Sequence, residues 1–141
     1  MADLTQYVAD RIALMDVMCK YAKAVDERDP ALYRSLFADD AVIEGFRGGN
    51  LQGADAWLEQ WKKALEPYAA TQHLLSPQLA TVNGDTAQCR TDVQALHYLK
   101  DKPGTTVTLW ATYEQEMKRI GGEWKIARHR LVSRGSRVQA G

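Results

Sequence analysis

Three histidines and a short list of acidic and tyrosyl side chains bound the chemistry this chain can perform, and Asp26 is the first of them to stand out. The segment YAKAVDERDP, residues 21–30, closes a helical run. At about 100° per residue, Asp26 lies about five turns beyond Val8, on the azimuth of Ile12, Met15, Cys19 and Ala22. A carboxylate in an apolar stripe persists only with a partner, because an ionised group resists leaving water. A histidine that donates Nδ1–H to such a carboxylate is held in one tautomer, with Nε2 free as a base. Burial pushes the carboxyl pKa up and an adjacent imidazolium pushes it down. The carboxylate in turn makes the histidine a stronger base, close to the pH where proton transfer is most efficient.

Strand alternation places two histidines as candidates for that role. In TAQCRTDVQALHYL the odd positions Ala87, Cys89, Thr91, Val93, Ala95, His97 and Leu99 oppose Gln88, Arg90, Asp92 and Gln94, so His97 faces the core. In ATQHLLSPQL, Leu75 and Leu79 share a face with His73 and place it inward as well. His129, in WKIARHRL, shares one face with Ala127 and Leu131, while Trp124 and Ile126 share the other with Arg128 and Arg130, and alternation does not orient it. A second core histidine supplies an acid for a leaving group. Tyr21, beside Leu14 and Val25 at the edge of the helical stripe, is a further donor. Trp57, Trp61, Trp110 and Trp124 read first as core, with Trp110 expected to double as pocket wall together with Tyr113 and His129. Plainer roles exist for each: an Asp in a last helical turn caps backbone N–H groups, and a strand histidine is often a satisfied core residue. Asp26, His73 and His97 could be drawn as a metal site, but no short ligand spacing supports it and no metal is expected. Ser76 and Cys89 sit in no nucleophile elbow, and GGNLQG lacks the Gly-Lys-Ser/Thr of a phosphate loop.

The elements that must position these groups are readable from period. Residues 5–27 carry apolar positions at spacings of three and four, which predicts one long helix. Asp29 as N-cap and Pro30 at the first helical position start a short second helix ending near Phe37, and a first strand follows at residues 41–46. After the turn RGGNLQG, residues 54–65 return to helical period. Beyond Pro67 the period becomes two, in runs near 71–82, 85–100, 105–120 and 123–133, separated by Asn83-Gly84, DKPG and Gly121-Gly122. Three helices followed by a long antiparallel meander predict an α+β fold in which a strongly curved sheet wraps the helices. The domain is expected to span residues 1–134, with 135–141 a flexible polar tail.

Composition narrows the partners. With 141 residues, 45% of them hydrophobic, the chain suits one domain with a real core. Eighteen basic and eighteen acidic side chains cancel, and no basic run interleaved with aromatics suggests nucleic acid. No run resembles a membrane span, and MADLTQYVADR lacks the features of a signal peptide, so the expected compartment is the cytoplasm. Cys19 and Cys89 read as reduced core residues.

The order of Y-x4-D at a helix end, SLFADDAV, a Gly-rich turn, a helix, TQHLL, VNGDTA, ALHYL and GGEWKIARHRL resembles the SnoaL-like branch of the nuclear transport factor 2-like superfamily. It is most similar to the scytalone dehydratase, bile-acid dehydratase and hexachlorocyclohexane dehydrochlorinase types. The resemblance implies a cone-shaped α+β barrel with a hydrophobic pocket for a small molecule, a catalytic Asp-His dyad, no cofactor, and a homo-oligomer, trimer or dimer. Asp26 and His73 fall at the dyad positions, Tyr21 at the tyrosine of the bile-acid enzymes, and His97 at the second histidine of scytalone dehydratase. The implied activity is a cofactor-independent lyase that removes a carbon-bound proton from a small, apolar, cyclic substrate with loss of water. Dehydrohalogenation, isomerisation, aldol-type cyclisation and a ligand-binding or subunit role without chemistry are the alternatives on the same fold.

Overall fold

The computed structural model describes residues 3–141; the first two residues of the segment read for a leader peptide lie outside the described residues. The chain forms α1 (Leu4–Asp26), α2 (Pro30–Ser35), β1 (Phe37–Glu44), β2 (Leu51–Gln52), α3 (Ala54–Leu65), β3 (Tyr68–Leu75), β4 (Leu79–Asn83), β5 (Thr86–Leu99), β6 (Thr106–Ile120) and β7 (Glu123–Gln139). The strands build one curved, unclosed sheet in the order β2-β1-β7-β6-β5-β3, with β4 also paired to β5. The three helices pack against it, giving the expected α+β architecture.

Local chemistry explains the helix ends. Asp3 caps α1 by accepting the Thr5 N–H at 3.0 Å. Asp29 caps α2 by accepting the Leu32 N–H at 3.0 Å, and Pro30 opens that helix as its sequence predicts. The face that α1 buries is not the expected one, however. Leu14, Val17, Met18, Tyr21, Ala24 and Val25 are buried, whereas Val8, Ile12 and Met15 are about half exposed (47%, 52% and 47%) and Cys19 is exposed. This helix carries two apolar stripes, and the sheet covers the one with the larger side chains and the tyrosine.

The expected strands hold with three changes. The run 71–82 divides at Ser76-Pro77-Gln78, because Pro77 has no N–H to give the ladder. Both pieces still pair with β5, β3 along residues 93–99 and β4 along residues 86–90. The first strand begins at Phe37 rather than 41 and lies parallel to β7, a long-range pairing that makes the sheet mixed. Residues 135–139 are not a tail but the end of β7, where they pair with Thr106–Trp110 of β6, from Trp110↔Gly135 to Thr106↔Gln139. These residues satisfy backbone groups of β6 that would otherwise form an open edge.

Leu14, Met18, Tyr33, Ile43, Met117 and Ile126 are fully buried between the helices and the concave face. Burial then falls along that face. Val93, Ala95, Ala111 and Tyr113 are buried, but His97, Leu99, Val107 and Leu109 are only half-buried, so the cone opens where β3, β5 and β6 carry residues 68–73, 97–99 and 106–109. Among the described residues, no helix is long and apolar enough to cross a membrane.

Candidate functional site

At that open end Asp26, the last residue of α1, meets the middle of β3. Its Oδ1 lies 2.8 Å from His73 Nδ1, and its Oδ2 accepts the His73 backbone N–H at 2.9 Å. Thr71 Oγ1 donates to Oδ1 at 3.0 Å. Burial pushes the Asp26 carboxyl up, but the bonds from the His73 ring, the His73 backbone and Thr71 outweigh it and hold the pKa below the ordinary carboxylate value. An ionised Asp26 accepts only, so His73 Nδ1 carries the proton and Nε2 is left as the basic nitrogen. The His73 side chain is 7% exposed and that of Asp26 21%, so the pair is shielded without being sealed. Asp26 thus reaches His73 from the end of the Val8–Ile12–Met15 stripe, whose earlier turns stay exposed while β3 covers its last one. It also performs the plainer role of bonding backbone, on β3 rather than on the loop after the helix.

His97 faces inward, as alternation predicts, directly opposite Thr71 in the β3–β5 ladder. Its ring centroid is 6.0 Å from that of His73 and 4.6 Å from that of Tyr68. His97 Nδ1 donates to the Val107 carbonyl at 3.0 Å, which leaves Nε2 without a proton in the neutral ring. Burial, and behind it the charge of Arg28 and that of His73 whenever it is protonated, hold the His97 pKa below its ordinary value against the opposing Val107 bond and Asp26 charge. The neutral ring accepts a hydrogen bond at Nε2.

A second cluster lies deeper. His129 is fully buried, with Nε2 2.9 Å from the Tyr21 hydroxyl and Nδ1 3.0 Å from Gln115 Nε2. The amide nitrogen only donates, so Nδ1 accepts and Nε2–H donates to Tyr21. The Tyr33 hydroxyl also donates to Tyr21, at 3.3 Å, and Trp57 Nε1–H donates to Tyr33 at 2.9 Å. Tyr21 thus accepts twice and keeps its own proton for another acceptor. Burial alone pushes the His129 pKa down to about 3, so this ring stays neutral. Tyr113 meets Tyr21 edge-on at 5.3 Å and His129 at 4.9 Å. Phe46, Tyr33 and Trp61 complete an aromatic packing that fills this part of the cone.

The inward turn of His129 has a local cause. Between Met117↔Ile126 and Glu116↔Arg128 the β6–β7 ladder shifts register, and Ala127 is the extra residue. Trp124 and Ile126 face in before this bulge, and His129 faces in after it, which is why alternation alone does not orient the strand. Trp110 is a correction: it pairs with Gln94, whose side chain points out, and lies on the convex face, 39% exposed. The structure therefore brings Asp26, His73 and His97 together at the mouth and Tyr21, Tyr113 and His129 below them, and it separates Trp110 from both. Thr71, Arg28 and Gln115 join these networks without having been expected. Of the three, Thr71 was within reach, since it shares the odd face of β3 with His73.

A cleft of about 520 Å³ between α1, α2 and the β6–β7 turn is lined by Asp10, Leu36, Arg119 and Trp124. Another of about 260 Å³ lies over β4, β5 and β6. Neither is lined by Asp26 or His73. Among the described residues, no group of three or more His, Cys, Asp or Glu side chains is arranged to hold a metal ion.

Comparison with known proteins gives the family and the fold. The family model of the SnoaL-like domain matches residues 6–130. A type 2 hexachlorocyclohexane dehydrochlorinase (LinA) has a similar structure, with a TM-score of 0.89 at 24% identity, covering 99% of this chain and 95% of that one. A scytalone dehydratase-like protein from Novosphingobium aromaticivorans superposes with a TM-score of 0.87 at 20% identity, over 99% of this chain and 95% of that one. At these identities the two likenesses show the fold. In sequence, the uncharacterized protein Rv2910c of Mycobacterium tuberculosis is 25% identical over 124 residues, 86% of this chain and 83% of that protein.

Proposed function

Because the chain belongs to the SnoaL-like domain family, we propose that it is a cytoplasmic, cofactor-independent lyase in which the Asp26–His73 pair removes a proton from carbon. The observation that carries this reading is the 2.8 Å bond between His73 Nδ1 and Asp26 Oδ1, which engages one ring nitrogen and leaves Nε2 free to act as the base. His73 Nε2 takes a proton from a carbon next to a carbonyl, and Asp26 stabilises the imidazolium that forms. The electron pair left on carbon forms the new double bond as the C–O bond to the neighbouring hydroxyl breaks. His73 then returns its proton to that oxygen, which leaves as water. His97 Nε2, as an acceptor, holds the substrate hydroxyl. The half-buried Leu99, Val107 and Leu109 favour a small apolar ring. The proposed assembly is a homo-oligomer, trimer or dimer, to be measured by sedimentation.

A second reading rests on His97. Without a proton on Nε2 it favours a leaving group that needs none, such as halide, or an isomerisation with no leaving group. The test is deuterium exchange in D2O into cyclic ketones, β-hydroxy carbonyl compounds and their halogenated counterparts, comparing the parent with Asp26→Asn and His73→Ala. The expected result is exchange or elimination by the parent that both folded variants lose. A compound that binds tightly, exchanges no proton and binds the variants equally well would replace this reading with a binding protein.

A further inference from the structure

The end of α1 is a Schellman turn, in which the Asp29 N–H bonds the Ala24 carbonyl at 2.9 Å and the Arg28 N–H bonds that of Val25 at 3.3 Å. The left-handed corner, at φ 55°, is occupied by Arg28, where glycine is the unstrained choice. From this corner the side chain folds back over the helix end. Nη1 donates to the Val25 carbonyl at 2.6 Å and to Thr71 Oγ1 at 2.9 Å. A guanidinium has no lone pair to offer, so the Thr71 oxygen accepts from Arg28 and its single proton is turned to Asp26 Oδ1. Nη2 is buried without a hydrogen-bond partner, which costs free energy that a simple cap would not spend. A strained corner and a half-buried, half-satisfied cation, both beside a candidate base, are what a functional constraint leaves behind.

We propose that Arg28 is a positioning residue of the dyad: through Thr71 it fixes the Asp26 carboxylate so that Oδ1 stays in line with His73 Nδ1. The proposal rests on the reading of Asp26 and His73 as the base. Arg28 also sets the field around His97, which lies across the ladder from Thr71. Its charge is one of the causes, after burial, that hold that imidazole in the neutral form.

The test uses the full chain with Arg28→Gly, Arg28→Lys, Thr71→Val and the Arg28→Gly/Thr71→Val double variant. Its first readout needs no substrate: the exchangeable Nδ1 proton of His73, observed by NMR on protein labelled with 15N-histidine. Arg28→Gly is expected to keep or raise the thermal midpoint, since glycine relaxes the corner, while the Nδ1 proton exchanges with water about tenfold faster or more. Arg28→Lys restores part of the protection, and the double variant loses no more than Arg28→Gly alone. Unchanged exchange in Arg28→Gly, additive losses in the double variant, or a fall in thermal midpoint along with the lost proton would each overturn the proposal, the last by making Arg28 a structural cap. The second readout is turnover of whichever compound the parent converts, where kcat is expected to fall about tenfold with KM within about twofold. An unchanged kcat overturns the positioning role. If Asp26→Asn and His73→Ala leave every conversion intact, the base reading fails, and the NMR readout still decides whether Arg28 orders the carboxylate.

Discussion

His129 sits neutral at the bottom of the cone, and lowering the pH should expose what its burial costs. Its pKa is pushed down to about 3 in the folded protein, against about 6.5 in an unfolded chain. Between those values the unfolded chain binds a proton that the folded one excludes, so stability rises with pH across the window and is lost as the pH falls below about 6.5. From pH 8 to pH 5 the loss from this side chain is about 2 kcal/mol, since pH 5 lies about 1.5 below the unfolded value and each pH unit is worth about 1.4 kcal/mol. That is a large share of the roughly 5–15 kcal/mol that holds a domain together. His97, whose pKa is also lowered, first by burial, contributes a slope of the same sign. The measurement is therefore a comparison: urea unfolding followed by tryptophan fluorescence at pH 8, 7, 6 and 5, for the parent and for His129→Leu. The variant starts lower at pH 8 because Tyr21 and Gln115 lose a partner, but its decline to pH 5 is smaller by about 2 kcal/mol. Equal declines would refute the reasoning, and so would a His129 ring signal that titrates near pH 6 in the folded parent.

Met117→Ala, at a fully buried position between sheet and helices, is expected to cost about 2–5 kcal/mol in the same unfolding assay. Gly45→Ala should be as damaging or worse, because a Cβ there runs into the Leu131 carbonyl and the backbone is at φ 81°; a thermal midpoint within a degree of the parent would contradict this. His97→Leu removes the acceptor at Nε2 and is expected to raise KM for a hydroxylated substrate about tenfold or more, while leaving a halogenated analogue nearly unaffected, a contrast read directly from steady-state rates. Below about pH 4 a further loss of stability is expected as Asp26 protonates, since its folded pKa is lowered and its contribution is present only above that range; Asp26→Asn should flatten this limb of the pH profile.

Exposed surface is where reading by period went astray. The Val8–Ile12–Met15 stripe and the Leu14–Met18–Tyr21 stripe both repeat at helical spacing, and the sequence offers no means of choosing which one the sheet covers. Asp26 ends the first stripe, and it is paired although that stripe is exposed, because β3 passes the helix end close enough for His73 to reach it. Trp110 shows the reverse case: its large ring suggested a pocket wall, while its partner Gln94 already marked that face as outward.

Local period and turn chemistry in the chain determined the three helices, the caps at Asp29 and Pro30, the curved sheet, and the inward parity of His73 and His97, because each depends on neighbours within a few residues. Tertiary structure alone decided the rest. The parallel β1–β7 pair, the inward turn of His129 and the Arg28–Thr71–Asp26 relay each depend on contacts between distant segments. An extra residue such as Ala127 also reverses every side chain that follows it, and that reversal is set by the ladder on which the strand lies.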